Sequence, residues 1–123
     1  MPVNRISETA LQKLLNEKIE EEALIVVKFY SNGCDYCHKL YDYYNEIADS
    51  YEEGEDNMYF FAFNIDDTPN ITDLIDINGV PTIISIKTGL LKSRIRILQD
   101  PDPPNQSTWY YSKDIKEFIE KEK

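Results

Sequence analysis

The sequence contains two cysteines, and two residues separate them in the segment Cys34-Asp35-Tyr36-Cys37. A Cys-x-x-Cys pair can perform thiol–disulfide exchange, in which one thiolate attacks a disulfide and the second thiol then releases the substrate from the mixed disulfide. No cysteine remains for a disulfide framework. A bond that closes so short a loop removes little chain entropy and adds little stability. The pair therefore indicates a reversible redox role.

The cysteine pair is predicted to lie where a strand ends and a helix begins. Residues 24–30 are nearly all apolar, β-branched or aromatic, which predicts a buried central strand. Ser31-Asn32-Gly33 breaks this strand, and apolar residues at helical spacing then predict a long helix that begins near Cys34. The unpaired N–H groups and the dipole of a helix N-terminus favour a thiolate. Cys34 is therefore the predicted nucleophile, and Cys37, one turn later, is the predicted resolving thiol.

A zinc site is the main competing interpretation of this cysteine spacing. The only other soft ligand in the sequence is the single histidine, His38, so the chain offers at most three protein ligands. Cys37 and His38 are adjacent on the predicted helix and point in different directions. We therefore predict no metal and no bound organic cofactor. His38 is either a solvated helix residue or a source of positive charge beside the thiols at acidic pH.

The remaining hydrophobic patterns predict four more strands and three more helices. The strands are expected at residues 3–6, 58–65, 82–87 and 94–97, with turns at 66–69 and 88–89. The helices are expected at 7–21 with Ser7 as N-cap, at 71–75, and after Ser112 as N-cap. The prolines of a Pro-rich insertion at 99–111 exclude regular structure over 99–107. The order β-α-β-α-β-α-β-β-α predicts one three-layer α/β domain over residues 1–123.

The composition limits the classes of partner. A formal net charge of -10 argues against binding to nucleic acid or to anionic membrane surfaces. No window approaches the roughly 20 apolar residues of a membrane span, and residues 1–22 contain no apolar signal segment. The chain as given is therefore expected to be cytoplasmic and monomeric. If a targeting segment precedes the chain, an oxidising compartment is the alternative location.

Three motifs, in this order, resemble those of the thioredoxin superfamily, both thioredoxins and disulfide-isomerase domains. They are Val27-Lys28-Phe29-Tyr30 before the cysteine pair, Asn64-Ile65-Asp66 at the end of the next strand, and Gly79-Val80-Pro81-Thr82. The resemblance covers approximately residues 3–98 and the final helix. It implies a thioredoxin fold, with a central mixed β-sheet flanked by helices. It also implies exchange with protein disulfides and recycling by a reductase or an oxidant.

The same resemblance implies several site residues. The peptide bond before Pro81 is expected to be cis and to face Cys34, although few X-Pro bonds are cis in general. The main chains of Val80 and Thr82 are expected to bind an extended substrate segment, and Val80 can also serve core packing. Gly33 replaces the aromatic residue that commonly precedes the first cysteine. The rim beside Cys34 is therefore predicted to be more open.

Three further positions are expected to tune the reaction. Lys28 occupies a position where the family usually has an acid, which leaves the proton acceptor for Cys37 open. Its amine either extends to solvent or lies near the thiols and helps to hold a thiolate. Asp35 is expected to raise the pKa of Cys34 by charge repulsion, which argues against a strongly oxidising couple. Tyr36 is similar to the tyrosine of glutaredoxins and either contacts substrate or covers the rim.

The leading functional prediction is a thiol–disulfide oxidoreductase whose direction is open. One alternative is a glutaredoxin-like reductase that uses glutathione, and another is a non-catalytic thioredoxin-fold adaptor that binds partners through the insertion. Trp109-Tyr110-Tyr111 is predicted to attach the insertion to the domain. A partner-docking patch is the second interpretation of these aromatic residues.

Overall fold

A five-stranded mixed sheet forms the centre of the domain in the computed structural model, which describes residues 1–68, 70–89 and 91–123. Its spatial order is β1-β3-β2-β4-β5. β1 and β2 run parallel to β3, whereas β4 is antiparallel to both β2 and β5. The strands are β1 (Val3–Arg5), β2 (Leu24–Tyr30), β3 (Met58–Asn64), β4 (Thr82–Lys87) and β5 (Arg94–Ile97).

Helices and loops cover both faces of this sheet. The helices are α1 (Glu8–Asn16), α2 (Asp35–Asp49) and α3 (Ser112–Glu122). α2 and α3 enclose one hydrophobic core with Val26 of β2, while α1 and the segment after β3 enclose a second core with Val27. Side chains alternate along a strand, so β2 supplies apolar residues to both cores. This explains why β2 is apolar at nearly every position, and the arrangement confirms the predicted three-layer thioredoxin fold.

The first helix begins as predicted but ends earlier. The Ser7 hydroxyl caps it by accepting a hydrogen bond from the Ala10 N–H at 3.1 Å. The predicted end at residue 21 is wrong, because α1 ends at Asn16 and Glu17 is already extended, with φ -99° and ψ 150°. The chain then turns back to enter β2, which a helical pattern on its own does not indicate.

Other boundaries also differ from the prediction. The helix predicted over 71–75 is wrong. The structure has a 3₁₀ turn at Ile71–Asp73, which is too short for the repeated hydrogen bonds of an α-helix. The N-cap of α3 is Tyr111 rather than Ser112, and its carbonyl accepts from the N–H groups of Asp114 and Ile115. The strands predicted at 3–6 and 58–65 each end one residue earlier. The predicted turn at 66–69 ends at Pro69, which lies outside the described residues.

The Pro-rich insertion contains no helix or strand in its described residues, as predicted. Its only regular feature there is an isolated bridge between Asn105 and Trp109. Within the described part of the chain, no helix has the length and apolar character needed to cross a membrane.

Candidate active site

Cys34 and Cys37 form a disulfide at the N-terminus of α2. Cys34 is the N-cap of this helix, and its sulfur accepts a hydrogen bond from the Cys37 N–H at 3.1 Å. An N–H group aimed at this sulfur, together with the helix dipole, favours negative charge on Cys34 once the bond is reduced. Cys34 is half-buried whereas Cys37 is only 3% exposed. The accessible cysteine is therefore the one that the helix terminus activates.

The loop that precedes Cys34 is held by the end of β3. The Asn32 N–H donates to Asp66 Oδ2 at 2.8 Å, and the Asn32 side-chain oxygen accepts from Asn64 Nδ2 at 2.9 Å. His38 Nε2 lies 2.6 Å from the Asn32 carbonyl oxygen. The Asn64-Ile65-Asp66 motif therefore fixes the position of the loop that carries the nucleophile. His38 is exposed and is bonded to this loop.

The segment Gly79-Val80-Pro81-Thr82 faces the cysteine pair. The Val80–Pro81 peptide bond is cis, and the Val80 carbonyl oxygen lies 3.8 Å from Cys34 Sγ. Val80 is half-buried. Thr82 is buried and pairs with Phe29 of β2. Cys34 and Pro81 thus come together at one end of the sheet although they are far apart in the sequence.

Lys28 is buried beneath α2, at 3% exposure, and does not extend to solvent. Its amine lies over the rings of Tyr30, Tyr41 and Tyr44, with Nζ-to-centroid distances of 5.7, 5.3 and 4.9 Å. None of the salt bridges between described residues includes Lys28. Burial lowers the pKa of the Lys28 amine to about 8. An aromatic cage, rather than an acid, therefore surrounds this cation.

One cavity connects Lys28 with the resolving cysteine. It has a volume of about 470 Å³, and both Lys28 and Cys37 line it, together with His38, Tyr41 and Asn45 of α2. A larger cavity of about 650 Å³ lies between α1 and the sheet and is lined by neither cysteine. Of the two interpretations of Lys28, the structure therefore supports a position near the thiols.

The remaining predicted site residues lie on the open side of the pair. Gly33 and Asp35 are exposed, and an added Cβ at Gly33 would meet nothing within 4 Å. Tyr36 is half-buried, and its ring packs edge-on against Trp109 with centroids 5.5 Å apart. The rim beside Cys34 is thus unobstructed at Gly33 and closed by aromatic rings at Tyr36.

Sequence reasoning missed the role of Asn32 and the contact between Trp109 and Tyr36. Asn32 lies in a segment that was identified only as a strand breaker, although asparagine at such a position often bonds to nearby main chain. Trp109-Tyr110-Tyr111 was predicted to attach the insertion to the domain. Tyr110 is 1% exposed and belongs to the core beneath α3, and Trp109 packs against the same core, as predicted.

Comparison with known proteins agrees with this geometry. Residues 5–100 match the family model described as Thioredoxin. The thioredoxin of Acidithiobacillus ferridurans is 33% identical over 69 residues, which cover 56% of this chain and 61% of that protein. Thioredoxin-T of Drosophila melanogaster is 30% identical over 71 residues, 58% of this chain and 43% of its own length. The chain thus spans less than two thirds of these two relatives.

Solved structures show the same fold at low sequence identity. Chloroplastic thioredoxin z superposes with a TM-score of 0.66 at 17% identity, over 98% of this chain and 94% of that one. The J-Trx1 fragment of ERdj5 gives a TM-score of 0.66 at 18% identity, over 98% of this chain and 49% of that one. Because the family match extends over most of the sequence and includes Cys34, Cys37 and Pro81, this chain belongs to the thioredoxin family.

Proposed function

We propose that this protein is a thiol–disulfide oxidoreductase that exchanges its Cys34–Cys37 dithiol and disulfide with disulfides of other proteins. The observation that carries the proposal is the asymmetry of the pair, with an accessible Cys34 at the N-terminus of α2 and a buried Cys37 behind it. Family membership supports the same chemistry. A reductase or an oxidant of the cell would return the pair to its starting state.

In the reducing direction, the Cys34 thiolate attacks one sulfur of the substrate disulfide. A bond forms between Cys34 and that sulfur, the substrate bond breaks, and the other substrate sulfur leaves as a thiolate. Cys37 then loses its proton to solvent, and its thiolate attacks Cys34 Sγ. The Cys34–Cys37 bond forms, the mixed disulfide breaks, and the second substrate thiolate leaves. Two electrons pass from the protein to the substrate, and the reverse sequence oxidises a substrate dithiol.

Lys28 supports the second step in this proposal. At neutral pH a group with a pKa of about 8 is mostly a cation, and a nearby cation favours the thiolate form of Cys37. The cavity shared by Lys28 and Cys37 gives this charge access to the thiol. The usual acid of the family is thereby replaced by a group of opposite charge. Val80 and Thr82 are proposed to offer main-chain hydrogen bonds to the substrate, and Gly33 to leave room for it.

The test uses single-cysteine variants in an insulin-reduction assay with dithiothreitol as the electron donor. We expect the wild type to accelerate reduction and Cys34→Ser to abolish the acceleration. Pre-reduced Cys37→Ser, incubated with insulin in the absence of dithiothreitol, should accumulate a mixed disulfide through Cys34, visible as a mass increase that later addition of dithiothreitol removes. Absence of acceleration by the wild type, with no mixed disulfide in Cys37→Ser, would contradict the proposal and favour the adaptor. Reduction of a glutathione mixed disulfide in preference to insulin would favour the glutaredoxin-like alternative.

The direction of exchange is set by the reduction potential of the Cys34–Cys37 couple. Equilibration with defined ratios of reduced and oxidised glutathione, followed by alkylation of free thiols, measures it. A strongly reducing couple would make the protein a disulfide reductase. A couple near that of disulfide isomerases would make it an oxidant or isomerase.

A further inference from the structure

We infer that the insertion at residues 99–111 forms one wall of the substrate groove and selects extended polypeptides that carry an arginine beside the reacting cysteine. This inference rests on the proposed function, because it assigns the substrate class of the same site. A groove of about 340 Å³ runs along Val80 and Pro81. Tyr36 lines it from α2, and Asp100 and Trp109 line it from the insertion.

Trp109 is fixed in place by its own segment. Its φ is +67°, in the left-handed region that bulky residues seldom adopt. Two main-chain hydrogen bonds to Asn105, of 2.9 and 3.0 Å, hold this conformation. The Asn105 side-chain oxygen also accepts from the N–H groups of Ser107 and Thr108, at 2.8 and 3.2 Å. Residues that several bonds hold in a sparsely populated conformation are concentrated at functional sites. This points to a functional role for the Trp109 side chain.

The indole of Trp109 closes the groove on the side of Tyr36. The two rings pack edge-on at 5.5 Å, and both are half-buried. Because Tyr110, the next residue, is anchored in the core, the insertion cannot shift freely away from α2. The groove therefore has Pro81 on one side and an aromatic wall on the other, and the fold sets the position of this wall.

The charge of the groove determines which substrate side chain it favours. Asp100 is the one acidic or basic residue among the described residues that line the groove, and it is exposed. Its Oδ1 accepts a hydrogen bond from Trp109 Nε1 at 3.0 Å, which holds carboxylate and indole side by side. A guanidinium group can stack on an indole ring and bond to a carboxylate at the same time, whereas an ammonium group is a point charge. The net charge of -10 also attracts cationic chains.

The test measures reaction of the pre-reduced protein with peptides whose single cysteine is bonded to thionitrobenzoate. Cys34 attacks the peptide sulfur and thionitrobenzoate leaves as a coloured thiolate, after which Cys37 releases the peptide. The peptides differ only in the residues flanking the cysteine, which are arginine, alanine or glutamate. The ratio of second-order rate constants for the arginine and glutamate peptides does not depend on the intrinsic reactivity of Cys34, since both reactions share the same thiol.

For the wild type we expect the arginine peptide to react about tenfold faster than the glutamate peptide. Asp100→Asn keeps an oxygen for the indole N–H and removes the charge, so the ratio should fall about three- to fivefold. Trp109→Ala should lower the rate for the arginine peptide, relative to the alanine peptide, about threefold. Glu46→Gln is the matched control, because this exposed acid lies about 16 Å along α2 from Asp35. It should leave the ratio unchanged.

The inference is overturned if the wild type reacts equally with both charged peptides, or if Asp100→Asn and Glu46→Gln give the same ratio. Failure of the wild type to react with any peptide would instead contradict the proposed function. If Trp109→Ala perturbs folding, seen as a lower urea midpoint, the Asp100→Asn ratio still decides the outcome.

Discussion

The two sides of the Cys34–Cys37 bond differ in what surrounds them. On the Cys34 side lie exposed Gly33, a groove along Pro81 and the aromatic wall formed by Trp109. On the Cys37 side lies a lysine that is 3% exposed, caged by tyrosine rings. The open side is built from loops and the buried side from a strand packed under a helix. One disulfide thus has one side open to solvent and one side enclosed by the interior.

This difference separates substrate choice from thiol tuning. Residues of the open side contact solvent, where charges are screened and single substitutions change affinities by small factors. Residues of the buried side are desolvated, so a charge there changes both pKa and stability by larger amounts. We therefore expect buried-side variants to alter stability most and open-side variants to alter mainly the reaction.

The largest effect on stability is expected for Lys28→Met. Burial lowers the pKa of Lys28 from 10.5 to about 8, so at pH 7 the charged amine destabilises the folded state, relative to the unfolded chain, by about 3 kcal/mol. Between these pKa values the unfolded chain binds more protons than the folded one, and wild-type stability rises with pH. Urea denaturation of the oxidised proteins should show the variant more stable at pH 7, with the gap narrowing by about 2 kcal/mol at pH 10.

Lys39→Met is the control for this measurement, because Lys39 is exposed on the same helix. It should change stability by less than about 0.5 kcal/mol. A gap between wild type and Lys28→Met that stays constant from pH 7 to pH 10 would show that the Lys28 pKa is not lowered. Burial of Lys28 would then not account for its proposed effect on the Cys37 thiolate.

A smaller effect is expected for Tyr44→Phe, which keeps the ring under Lys28 and removes the hydroxyl. The Tyr44 hydroxyl is fully buried and lies 3.0 Å from the Phe61 carbonyl oxygen and 3.3 Å from that of Val26. The hydroxyl thus donates its hydrogen bond to main-chain carbonyl groups where β2 and β3 lie side by side. Its loss should lower the free energy of unfolding by about 1 kcal/mol, measured as a lower urea midpoint at unchanged m-value. Tyr43→Phe, at an exposed neighbour, should leave the midpoint unchanged, and equal effects of both variants would refute the role of this bond.

The smallest effect is expected for Asp35→Asn on the open side. The Asp35 carboxylate follows the nucleophile directly, and its charge opposes formation of the Cys34 thiolate. Because Asp35 is exposed, solvent screens this repulsion, and the pKa of Cys34 should fall only slightly. The pH dependence of alkylation of the reduced protein by iodoacetamide measures this pKa. Asp42→Asn, farther along α2 and also exposed, is the control, and an unchanged or raised Cys34 midpoint in Asp35→Asn would contradict the prediction.

Local patterns were sufficient for the framework of the site. The bounds of β2 were predicted correctly because residues 24–30 are nearly all apolar, β-branched or aromatic. Cys34 was placed at a helix start because a helix pattern follows a strand breaker. Hydrophobic patterns did not predict where the first helix ends. Residues 17–21 continue the polar composition of α1, yet the return to β2 ends the helix at Asn16.

The type, spacing and order of the residues already predicted the reaction class and the fold, since the cysteine pair and the hydrophobic patterns are local and the three motifs follow one another in a fixed order along the chain. Only the tertiary structure decided that Lys28 is enclosed and that Trp109 faces Tyr36. A long flexible amine can reach either solvent or the interior, and the packing of α2 over β2 makes that choice. A left-handed residue in an irregular loop has no periodic signal, and Trp109 meets Tyr36 only because the fold brings the insertion against α2.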